Sequence, residues 1–119
     1  MHIFTYGTLM SEQVWSTVVV GRYARREAVI VGYRRLAVRG KAYPGLVPGA
    51  AGDMVRGLLR LAIDDRDLER LDRYEGEYYR RERCECRLAD GSILPAQLYV
   101  FKGRYRHLLE EREWQPDGS

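Results

Sequence analysis

Cysteine is scarce in this 119-residue chain, and its two copies, Cys84 and Cys86, are separated by one residue. In an extended strand they share one face with Glu85 on the other, a placement that disfavours a bridge between them. Only His2 and His107 are available to complete a metal site, so neither a disulfide framework nor a metal is expected. Unbridged small thiols fit a reducing compartment, and the cytoplasm is the expected location. Long apolar runs are missing as well: none approaches the ~18 residues that a membrane span requires. No charged, apolar, small-residue leader precedes the first strand signal, so export through a cleaved signal is not expected. There is no internal repeat and no linker, and the length suits one domain over residues 1–119, fraying from about 115.

Lysine is almost as rare. Lys41 and Lys102 are the only two, and the rest of the 20 basic residues are arginine, against 17 acidic residues and a formal charge of +3. Nucleic-acid binding wants basic charge gathered on one face with aromatics between. Here Glu27, Glu77, Glu82 and Glu85 interleave with Arg25, Arg26, Arg80, Arg81 and Arg83, which argues against a nucleic-acid partner. Apolar residues make up 45% and tyrosine alone contributes nine, enough for a packed core rather than a disordered chain.

The β-branched and aromatic run at 2–6 predicts a first strand that ends in Gly7. Ser11 caps a short helix through Trp15, and residues 18–20 are ambiguous between helix end and strand. Residues 27–31 read as a strand that Gly32 breaks and 34–38 resume. Residues 40–52, rich in Gly and Pro, read as a loop folded over something, because Tyr43-Pro44-Gly45-Leu46-Val47 carries large apolar groups. A strand follows at 55–63, then a helix at about 65–75 capped by Asp64 and stopped by Gly76. Residues 79–88 and the strand bearing Leu94, Ala96, Leu98 and Val100 form a hairpin around Asp90-Gly91, with Pro95 at an edge or bulge. A last helix is expected near 105–113, with Trp114 as an anchor. Strands and helices do not alternate, which excludes a doubly wound nucleotide fold. An α+β domain on a curved, barrel-like sheet with a few short helices remains.

Two places carry chemistry. Glu75 falls in the last turn of the predicted helix, where the negative end of the macrodipole disfavours a carboxylate. Tyr74 and Tyr78 beside it keep water away, and both effects raise its pKa toward the range that acid–base catalysis needs. The Tyr6-Gly7-Thr8-Leu9 turn offers two or three N–H donors in one concavity, suited to an anion or a carbonyl oxygen.

These segments occur together with Tyr43-Pro44-Gly45 and with Tyr79 and Arg81. In this order the chain resembles the gamma-glutamylcyclotransferase family in its short AIG2-like branch. Tyr6 to Leu9 match the family's opening Tyr-Gly-Thr/Ser-Leu, Leu71 to Gly76 its Leu-Asp-x-aromatic-Glu-Gly, and Tyr79 with Arg81 its Tyr-x-Arg. The likeness spans roughly residues 2–101. It implies a mixed α/β domain with a cavity at one end of a barrel-like sheet. It implies release of 5-oxoproline from gamma-glutamyl compounds, without a cofactor, with Glu75 as acid and base. By the same likeness Tyr6, Gly7, Thr8 and Leu9 hold the glutamyl moiety, and Tyr43, Tyr79 and Arg81 join them as substrate-binding candidates. The arginine-rich 21–39 stretch and the ending 110–114 match no family motif.

The implied substrate is a small gamma-glutamyl molecule that carries its own nucleophile. Its leaving group is open between an amino acid, a polyamine and a lysine isopeptide, and oligomeric state is not readable. A binding module on the same fold, holding a small ligand without turnover, is the alternative reading. An RNA or acidic-partner binder is the third.

Overall fold

The computed structural model describes residues 1–116; the expected fraying at 117–119 lies outside the described residues. The chain forms β1 (Ile3–Thr5), α1 (Glu12–Val18), β2 (Arg25–Val31), β3 (Tyr33–Val38), β4 (Pro44–Pro48), β5 (Met54–Arg60), α2 (Asp65–Glu75), β6 (Tyr79–Leu88), β7 (Ile93–Phe101) and β8 (Leu109–Glu113). Five strands close into a barrel in the order β1-β5-β2-β6-β7, and β4-β3-β8 make a separate three-stranded sheet. The closing pair is the weakest: β1 and β7 run parallel and meet at Ile3 and Gln97 alone. The fold is the expected α+β arrangement on a barrel-like sheet.

Alternation along the strands sorts side chains into three layers. Phe4, Ile30, Leu59, Cys86 and Leu98 fill the barrel. Ile3, Trp15, Ile63, Leu71 and Tyr99 lie between its outer face and the two helices. Leu36, Val47, Phe101 and Leu109 pack beneath the small sheet. Cys84 and Cys86 are free thiols, Cys86 fully buried and Cys84 partly so. Among the described residues no helix is long and apolar enough to cross a membrane.

Helix α2 forms where Asp64 and its neighbours dictate. The Asp64 carboxylate accepts from the Asp67 N–H at 2.8 Å, which satisfies a donor of the first turn. Leu71 is buried against the barrel. Gly76 closes the helix at φ 75°, a backbone region that glycine enters without a Cβ penalty. Asp67 is buried too, and its carboxylate accepts from the Val20 and Gly21 N–H groups and the Tyr23 hydroxyl. That carboxylate ties the 19–23 segment to α2. Its pKa lies well below the usual carboxylate range, because these donors outweigh the cost of burial.

Four expectations need correction. Residues 44–48 are a strand rather than part of a loop: β4 pairs antiparallel with β3, Leu46 opposite Arg35. The prolines that suggested a loop sit at its two ends, where a missing N–H costs least. Residues 105–113 are not a helix. A 3₁₀ segment at Gly103–Leu108 leads into β8, which pairs with β3 through Val38–Leu109 and Leu36–Glu113. The open edge of β3 decides this over local propensity. The strand expected at 55–63 ends at Arg60, and Ala62 turns the chain at φ 55°. Residues 34–38 do not resume β2; they belong to β3 in the other sheet.

Candidate active site

The turn after β1 is the first wall. Thr8–Met10 form one 3₁₀ turn, closed by Met10 N–H to Gly7 O at 3.0 Å and Ser11 N–H to Thr8 O at 3.1 Å. The N–H groups of Gly7, Thr8 and Leu9 have no acceptor among the described residues. Gly7 is required here by close approach. A Cβ on it would meet the Pro44 ring at 2.9 Å, too near for any substituted residue to keep the packing. The turn and the Tyr43-Pro44 segment are thereby pressed together, although they are far apart in sequence.

Glu75 is the second wall, in the last turn of α2. It is partly buried, and no hydrogen bond reaches its carboxylate from the described residues. Burial, and after it the neighbouring negative charge of Asp72, push its pKa up to about 8. A carboxylate without donors in a poorly hydrated site binds its proton more tightly than in water.

Tyrosines complete the enclosure. Tyr6, Gly7, Thr8, Leu9, Tyr43, Tyr79 and Glu75 line one cavity of about 50 Å³, joined by Phe4, Thr5, Pro44, Tyr74 and Tyr99. The Tyr6 hydroxyl donates to Tyr99 O at 2.5 Å, and the Tyr79 hydroxyl to Pro44 O at 2.6 Å. Burial, and the charge of Glu75, hold both phenols well above their ordinary pKa, so they stay neutral donors. The Thr8 and Tyr74 hydroxyls lie 3.4 Å apart on the exposed side. A space of this size holds little more than a water molecule, whose share of liquid volume is ~30 Å³.

Of the catalytic and substrate-binding candidates expected from the sequence, only Arg81 does not line this cavity. Its guanidinium donates to Gln97 at 2.7 Å and to Asp72 at 3.2 Å. It neutralises the acid beside Glu75 instead of facing the cavity. Tyr78, expected to shield Glu75, stacks on Phe101 and against Tyr105 elsewhere. Sequence reasoning missed Asp72, Tyr99 and two arginines behind the turn. Asp72 had a signal, since it stands one helical turn before Glu75. Tyr99 had none, because only barrel closure brings β7 to the end of β1.

A hollow of about 660 Å³ lies on the outer face of β2 and β5, lined in part by Val29, Arg56 and Leu58. It contains no residue of the cavity described above. No cluster of three or more metal-ligating side chains occurs among the described residues.

Comparison with known proteins gives a family and a fold. The family described as gamma-glutamyl cyclotransferase, AIG2-like, matches residues 3–116. AIG2-like protein D of Arabidopsis thaliana is 32% identical over 104 residues, which are 85% of this chain and 68% of that protein. A solution structure of an Arabidopsis thaliana protein superposes with a TM-score of 0.80 at 24% identity, covering 98% of this chain and 70% of that one. A structure named gamma-glutamyl cyclotransferase superposes with a TM-score of 0.71 at 16% identity, covering 85% and 66%. The chain therefore spans roughly two thirds of the length of these relatives.

Proposed function

The chain belongs to the gamma-glutamyl cyclotransferase, AIG2-like family, and on that premise we propose that it releases 5-oxoproline from a gamma-glutamyl amine or gamma-glutamyl amino acid. One observation carries the reading: a carboxyl group with a pKa of about 8 shares a cavity with a turn whose N–H donors meet no acceptor among the described residues.

The substrate's α-amine attacks its own γ-carbonyl and closes a five-membered lactam. The new C–N bond forms at the γ-carbon, and the bond from that carbon to the leaving nitrogen breaks. Two protons leave the α-ammonium, and the departing amine gains two. Ionised Glu75 takes the first and returns it to the leaving nitrogen, the duty of a group whose pKa lies near the working pH, while the second passes to solvent water and the released amine takes its other proton from solvent. The carbonyl oxygen gains negative charge as the ring closes. N–H groups of the Gly7–Leu9 turn are suited to receive it, as preorganised donors are in acyl transfer. Tethered reactants folded together reach effective molarities of ~10⁵ M or more, so confinement by the tyrosine walls is a large part of the rate. The phenols of Tyr6 and Tyr79 are committed to backbone carbonyls and act as rigid wall.

A γ-glutamyl group needs more room than the cavity offers. Tyr74, about half exposed, holds the mouth through one long contact to Thr8, so it is the group that turns outward on loading. The small volume also favours the second reading, a binding module without turnover. Incubating the protein with a panel of gamma-glutamyl amines and amino acids and assaying 5-oxoproline separates the two. Release from at least one substrate is expected; binding of several with release from none would leave only the module.

A further inference from the structure

The turn that bears the free N–H groups is held from behind by two arginines that no motif announced. Arg35, on β3, donates to Tyr6 O at 2.8 Å. Arg60, at the end of β5, donates to Leu9 O at 2.8 Å and Met10 O at 3.3 Å. Each guanidinium lies over one of the chain's two tryptophans: Arg60 over Trp15 at 4.5 Å and Arg35 over Trp114 at 5.3 Å. Stacking of this kind fixes a planar cation that would otherwise be free to rotate. In both arginines the Nε is buried without a hydrogen-bond partner among the described residues, which carries a desolvation cost. Arg60 also pairs with Glu12, so it carries stability as well as position.

Arg35 bears directly on the proposed site. In a trans peptide the carbonyl of one residue and the N–H of the next point in opposite directions, and no cis bond is present among the described residues. Holding Tyr6 O therefore sets the direction of the Gly7 N–H. A cation on the carbonyl also draws electron density from the amide and makes that N–H a better donor. Trp114 extends the hold to the opposite wall. Its indole N–H donates to Ala42 O at 2.7 Å, next to Tyr43-Pro44, and its backbone N–H donates to Arg35 O at 3.0 Å. The ending that matched no family motif thus braces both sides of the cavity.

We infer that Arg35, stacked on Trp114 and bonded to Tyr6 O, is a positioning residue that aims the Gly7 N–H at the substrate's reacting oxygen. The inference rests on the proposed cyclisation and deepens it. Misplacing an aligned donor by an ångström costs about a hundredfold in rate, so Arg35→Met is expected to lower kcat/KM by roughly ten- to a hundredfold, mostly in kcat. Arg35→Lys, which restores one donor to Tyr6 O, is expected to recover part of that loss. Assays run well below the Tm of each variant, with folding checked by circular dichroism. The Gly7 amide ¹⁵N resonance supplies a reading independent of turnover: it shifts in Arg35→Met, while Gly91 at the far hairpin does not.

Two results overturn the inference alone: a folded Arg35→Met protein with kcat/KM within twofold of wild type, or an unmoved Gly7 resonance. A wild-type protein that releases no 5-oxoproline from any gamma-glutamyl substrate removes the cyclisation and this role together.

Discussion

Asp72 and Glu75 stand one helical turn apart on α2 and have opposite surroundings. Asp72 accepts from the Tyr99 hydroxyl at 2.6 Å and from Arg81 at 3.2 Å. Glu75 accepts from nothing among the described residues and faces the cavity. The oxygens of Asp72 are occupied by these donors, whereas Glu75, its pKa raised to about 8 by burial and by the charge of Asp72, is left to exchange a proton.

Glu75→Gln keeps the shape of the wall and removes the proton carrier. Turnover is expected to fall by at least a hundredfold, with binding of a gamma-glutamyl ligand retained. The same variant changes the pH dependence of stability. The folded pKa is about 8, above the ordinary 4.5, so the folded protein holds a proton that the unfolded chain has released. The stabilisation is whole below about pH 4.5 and is lost as pH rises toward 8. Its size is at most about 5 kcal/mol, at about 1.4 kcal/mol for each pKa unit. Urea titrations at pH 5 and pH 8.5 should show wild type losing stability relative to Glu75→Gln; parallel behaviour of the two would show that Glu75 is not desolvated.

Asp72→Asn removes the negative charge that raises the pKa of Glu75. It also leaves the Arg81 cation unopposed nearby, which acts in the same direction. The basic turnover of Glu75 should then begin at lower pH, moving the acidic limb of kcat/KM down by roughly half to one unit. A pH–rate profile from 6 to 9.5 checks it. An unmoved limb would place the observed pKa on the substrate or another group.

Gly7→Ala introduces a Cβ that meets the Pro44 ring at 2.9 Å. The turn and the Tyr43-Pro44 segment must separate by a few tenths of an ångström, and Tyr79 is hydrogen-bonded to the same segment. Activity is expected to fall at least tenfold, and Tm by only a few degrees; Gly7→Val should exaggerate the first more than the second. Loss of activity wholly accounted for by loss of folded protein would make the glycine structural.

Tyr74→Ala opens the mouth that Tyr74 and Thr8 close between them. Ligand association should quicken, while turnover falls several-fold because water enters and the folded substrate is less confined. Tyr74→Phe, which loses only the contact to Thr8, should stay within about threefold of wild type in kcat. Stopped-flow binding and steady-state turnover measured side by side distinguish a gate from a substrate contact.

The sequence by itself determined the local signs: the strand into Gly7, the Asp64 cap, the stop at Gly76 and the hairpin at Asp90-Gly91. These depend on backbone freedom and nearby hydrogen bonds, which neighbours in the chain decide. It also placed Glu75 at a helix end, and family likeness linked it to the Tyr6–Leu9 turn. Tertiary structure alone decided the rest. Pairing with β3 made strands of 44–48 and 109–113, because an open sheet edge outweighs local preference. Arg60, at the end of β5, is buried and bonded to Leu9 and Met10, residues far from it in sequence. Arg81 serves Asp72 rather than the cavity, and Arg35 reaches Tyr6 from another sheet. Such contacts depend on how the barrel closes, and closure is a property of residues nearly a hundred positions apart, as Ile3 and Gln97 are.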